Sequence, residues 1–135
     1  MSIFNFFRPK APDVPPPDVF ESLAAVSKFA KIRECSPEFY DAHSDPIDMA
    51  EGLIGFLANQ NSHLGMILSI TGASVDDTAM ALRQEIPTMG LEPRTIDFLD
   101  STMTVVMKRL LPLLDDPRLP PYLNECRHPI KGAFE

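Results

Sequence analysis

Apolar residues between positions 18 and 111 recur mostly at intervals of three and four, the period of a helix that buries one face. Asp18 is a candidate N-cap, and Glu21 completes a capping box. Val19, Leu23, Val26 and Ala30 then share a face, with Phe20 beside them. Ser36-Pro37 pairs a cap residue with proline at the first helical position and predicts a short turn through Phe39 and Tyr40. Asp45-Pro46 repeats that signal, and Ile47, Ala50, Leu53, Ile54 and Leu57 come next as a stripe. The polar run Asn59–Ser62 interrupts it before His63–Thr71 continues with Leu64, Ile67 and Leu68, and Gly72 is the expected stop. Ser74 and Asp77 open a helix carrying Val75, Ala79, Met80 and Leu82 to about Glu85, where Pro87 and Gly90 break it. The clearest stripe is Ile96, Leu99, Met103, Val106 and Leu110, begun at Pro93 and ended at Pro112. No run alternates with a period of two. The pattern predicts an all-α, single-domain bundle of about five helices joined by short connections.

Proline bounds this body. Five of the 14 prolines fall in residues 9–17 and five more in 112–129. Proline fixes φ and removes a donor, so both stretches read as extended arms, and neither is enriched in Gly or Ser. The expected organisation is a Phe-rich N-terminal arm with its Pro-rich spacer over 1–17, a helical domain over 18–116, and an extended C-terminal arm over 117–135.

Composition narrows the function classes. The chain has 135 residues, 44% of them hydrophobic, enough for a core and for one domain. A net charge of −7 argues against a nucleic-acid binder. No stretch approaches the roughly 20 apolar residues of a membrane helix. Two cysteines build no disulfide framework, and no signal peptide opens the chain, so a cytoplasmic setting is expected.

The charge is also uneven. Residues 34–82 contain eight acids and no Lys or Arg, so that segment carries −8 and the rest of the chain +1. Helix dipoles favour acids in first turns, which accounts for Glu38, Asp48 and Asp77 but not for the missing cations. Glu38, Asp41, Asp45, Asp48, Glu51, Asp76 and Asp77 are the expected acidic face for a protein partner with a basic surface.

Other motifs carry less. Ile3, Phe4, Phe6 and Phe7, together with Arg8 and Lys10, form an aromatic arm suited to a partner groove, a membrane interface or the protein's own body. Any membrane contact is confined to residues 1–10. Cys35, His43, His63, Cys126 and His128 lack zinc-site spacing, so no metal or cofactor is expected; Cys35 reads as a small buried residue. Asp41–Pro46 fails as a calcium loop, because Pro46 stands where glycine is required and Gly52 where glutamate is. Residues 64–85 outline a helix-turn-helix, but Asp76 and Asp77 at the second helix would repel DNA. Among the methionines, Met103 belongs to a core stripe, while Met89 in the Pro87–Gly90 loop is expected near the surface. No phosphate-cradling glycine loop or nucleophile elbow occurs. The expectation is a non-catalytic helical interaction module of the adaptor, inhibitor or immunity type. The alternatives are a small Cys/His enzyme or metal-binding protein, and a peripheral assembly component held by its Phe-rich N-terminus.

Overall fold

The computed structural model describes residues 18–70, 74–121 and 123, and its regular elements there are all helical. They are α1 (Val19–Ala30), α2 (Ile32–Cys35), α3 (Pro37–Ala42), α4 (Ser44–Gln60), α5 (Ser62–Leu68), α6 (Val75–Glu85) and α7 (Pro93–Leu110). Tighter 3-10 turns cover Ile86–Thr88 and Leu111–Asp115. The all-α bundle read from the sequence is the observed fold.

Helix α1 is its axis. Asp18 caps it, accepting from the backbone N–H of Phe20 at 2.9 Å and of Glu21 at 3.4 Å. All residues from Ser22 to Phe29 are buried, Lys28 included. A helix at the surface buries one stripe; one buried all round is central. Helices α4, α6 and α7 pack around α1. Arg83, near the end of α6, pairs with Asp18 and lies over the Phe20 ring, which pins that end of α6 to the start of α1.

Helices α4 and α5 form a hairpin. Asn61 ends the first and caps the second, its side chain accepting from the N–H of His63 and Leu64. Gly65 permits the close approach: a Cβ there would stand 2.6 Å from the Cβ of Ala58. Ser74 caps α6 by accepting from the N–H of Asp77 at 3.0 Å, as the sequence predicts. Gly90, with φ of +68°, makes the turn before α7 that side-chain-bearing residues avoid. Leu99, Met103, Val106 and Leu110 face the core, and Ile96 packs at its edge. Beyond α7, Leu113, Leu114 and Leu123 join the same core.

Several local expectations are corrected. Asp45 is not a cap: α4 starts at Ser44 behind His43, and Asp45 sits in its first turn. Ser36 precedes Pro37 as expected but makes no capping hydrogen bond. Met80 is 58% exposed, because one residue past buried Ala79 turns about 100° off the inner face. Met89 is half-buried against the core, beside the 3-10 turn whose Ile86 is buried. Cys35 is exposed, since Ile32 is the buried residue of the four-residue α2. The Gly72 stop lies outside the described residues.

Candidate functional site

The seven acids lie on three helices, α3, α4 and α6. Glu38, Asp41 and Asp45 are exposed around the junction of α3 and α4. Asp76 and Asp77 occupy the first turn of α6. Helix α3 packs on α2 and α4, whereas α6 packs on α1 and α5. The first-turn position of Asp76 and Asp77 is also where the helix dipole favours a carboxylate.

Asp48 and Glu51 have internal partners. They stand one turn apart on α4, and Arg33 reaches both, at 2.8 and 2.9 Å. The Arg33 guanidinium also donates to the Tyr40 hydroxyl at 3.1 Å and lies 4.9 Å from that ring's centroid. The Tyr40 hydroxyl in turn donates to Asp48 at 2.9 Å. These contacts hold the Arg33 guanidinium above its ordinary pKa, Asp48 contributing most. The hydrogen bond to Asp48 likewise pushes the Tyr40 phenol up. Arg33 is the last cation before the acidic segment 34–82, and it neutralises part of that segment's charge. Sequence reasoning missed this pairing because Arg33 and Asp48 are 15 residues apart, on different helices.

The α3–α4 junction is clamped by the chain beyond α7. His43 Nε2 lies 2.7 Å from Asp116 Oδ2, and the His43 ring is tilted against Phe39 with centroids 4.8 Å apart. Arg118 donates to Asp116 from Nε at 3.2 Å, from Nη2 at 3.1 Å and from its backbone N–H at 2.8 Å. Arg118 first, and His43 second, hold the Asp116 carboxyl well below the usual carboxylate range. Arg118 thus borders a cleft of about 410 Å³ shared with Cys35, Ser36, Pro37, Glu38 and Phe39. The outward field of this corner comes from Asp41 and Asp45, with Glu38 at its edge near Arg118.

A second cleft of about 270 Å³ lies between α1, α4 and the end of α5, lined by Ala30, Lys31, Glu34, Glu51, Ile54 and Gly55 among others. Its polar rim is mixed in sign. Among the described residues, no three His, Cys, Asp or Glu side chains converge on a point that could hold a metal ion. The imidazole of His43 is turned to Asp116, and His63 lies 3.6 Å from Glu85. Ile3, Phe4, Phe6 and Phe7, like Cys126 and His128, lie outside the described residues. No described helix is long and apolar enough to cross a membrane.

Comparison with protein-family models, with curated proteins and with solved structures finds no match to this chain.

Proposed function

We propose that this protein is a non-catalytic helical interaction module, of the adaptor, inhibitor or immunity type, that docks a protein with a basic surface on its α3–α4 corner. The observation that carries the reading is that Asp41 and Asp45 are exposed and make no ion pair among the described residues, with Glu38 exposed beside them at the edge toward Arg118. Like charges left unneutralised repel one another in the free protein, and a cationic partner relieves that repulsion on binding. Asp48 and Glu51 are already satisfied by Arg33, so they belong to the corner's scaffold rather than to its contact surface. The clamp from Asp116 and Arg118 holds the corner in place, which lowers the ordering cost of association.

Charges at a rim act mainly on the association rate, through a field screened over about 8 Å at physiological salt. The test starts from affinity capture on the 135-residue chain and proceeds to kinetics with the partner identified. Association should slow markedly between about 50 and about 500 mM salt, while dissociation changes less. The Glu38→Gln, Asp41→Asn, Asp45→Asn triple variant should slow it at low salt with an unchanged far-ultraviolet spectrum. Association that ignores both salt and these replacements places the contact elsewhere.

A further inference from the structure

The cleft of about 270 Å³ between α1, α4 and the end of α5 is left open at a glycine. Gly55 lies inside α4, where glycine is less stable than alanine. An added Cβ there would meet nothing within 4 Å, so no neighbouring helix requires the position to be bare. Gly65, against Ala58, shows the opposite case. What the missing side chain at Gly55 leaves is room, because Gly55 lines the cleft. The apolar lining around it comes from Ile54 of α4 and Ala30 at the end of α1, both half-buried, and from buried Leu68 at the end of α5.

Three charged side chains border the same space: Lys31, Glu34 and Glu51. Glu51 is held by Arg33 at 2.9 Å, so its charge is already balanced. Lys31 and Glu34 make no ion pair among the described residues. They are opposite in sign and close in the chain, yet their side chains do not pair with each other. The unbalanced charge at the cleft is therefore one cation and one anion. A ligand with a single charge would leave one of them unanswered, whereas a zwitterion answers both. The volume lies below the roughly 300–1,000 Å³ of sites for drug-sized molecules. A small molecule with a carboxylate, an ammonium group and an apolar tail matches the charges, the lining and the size together.

We propose that this cleft binds a free α-amino acid with an apolar side chain. Its carboxylate pairs with Lys31, its ammonium group with Glu34, and its side chain lies over Gly55 against Ile54 and Ala30. Such binding requires no partner at the α3–α4 corner. An open rim and few ligand atoms make it weak, with a Kd of about 0.1–10 mM.

Titration of the isotope-labelled 135-residue chain with L-leucine, and separately with L-phenylalanine, to about 50 mM tests this by two-dimensional NMR. The amides of Ala30, Lys31, Gly55 and Ser69 should shift together and saturate with at least one of the two. Against leucine, leucinamide lacks the carboxylate, isocaproate lacks the ammonium group and glycine lacks the apolar tail; each should bind at least about tenfold more weakly. Gly55→Leu fills the space and should abolish the saturable shifts, with circular dichroism checking that α4 still folds. Lys31→Met and Glu34→Gln change rim residues and should each weaken amino-acid binding at least about fivefold. No saturable shift with either amino acid to about 50 mM overturns the proposal. Leucinamide or isocaproate binding as tightly as leucine overturns it by removing the need for one of the two charges. Shifts that persist in a folded Gly55→Leu variant, or that ignore both rim variants, also overturn it by placing the binding elsewhere.

Discussion

Tyr40 holds its proton because the hydroxyl donates a hydrogen bond to the Asp48 carboxylate at 2.9 Å. Its folded pKa is raised above the ordinary value of about 10. The stability this gives is complete below that ordinary value and is lost as pH rises through the folded one. In an alkaline absorbance titration, the Tyr40 step, identified by comparison with Tyr40→Phe, should lie above the ordinary phenol value of about 10. Asp48→Asn should bring the phenol down, because Arg33 then favours its ionised form. A Tyr40 titration that Asp48→Asn leaves unmoved would mean the hydrogen bond is absent in solution. Cys35 gives a contrasting prediction at the same scale. It is exposed, so Cys35→Ser should change stability by no more than about 0.5 kcal/mol in urea unfolding.

Among the elements, the glycines of the α4–α5 hairpin separate two roles that look alike in sequence. At Gly52 and Gly55 an added Cβ meets nothing within 4 Å, and at Gly65 it meets both Cβ and backbone of Ala58. Glycine inside a helix costs about 0.5–1 kcal/mol relative to alanine, so Gly52→Ala and Gly55→Ala should each stabilise by about that much. Gly65→Ala should instead destabilise by about 1–3 kcal/mol, because the overlap is with a backbone that cannot swing away. Parallel urea titrations of the three variants check the signs. On α7, Leu99→Ala should cost about 2–5 kcal/mol, since Leu99 is 1% exposed in the middle of the inner stripe. Helix α7 was fully legible because its inner stripe is unbroken and both its ends are marked by proline. Helix α1 was legible in extent but not in role. Its buried face includes Ser22 and Ser27, and Ser27 satisfies its own hydroxyl by donating to the Ala24 carbonyl at 2.8 Å. A helix can therefore be central while its sequence looks one-sided.

For the molecule as a whole, the contact between His43 and Asp116 ties together positions 73 residues apart. The folded carboxyl of Asp116 has a depressed pKa, so its stabilising share is present above the unfolded value of about 3.9 and is lost as pH falls toward the folded one. Wild type should therefore be more stable than Asp116→Asn at neutral pH, and the difference should shrink steadily as the solution is acidified below about pH 4. Denaturant midpoints of the two proteins across that range check it; a difference that persists unchanged into strong acid would assign the effect to packing. By itself the sequence determined the helical class, the ends of α6 and α7, an interruption within Asn59–Ser62 and the Ser74 cap. Each depends on residues within about one or two helical turns of one another, where backbone and dipole preferences act directly. Only the tertiary structure decided which acids are free. Arg33 meets Asp48 and Glu51, and Arg118 meets Asp116 near Glu38, because packing brings a cation to a carboxylate, and charge counted along a chain carries no record of that. The same holds for the cleft lined by Glu34 and Gly55: spacing along the chain says nothing of how close two helices stand, and that the two residues border one space is a property of the packed molecule.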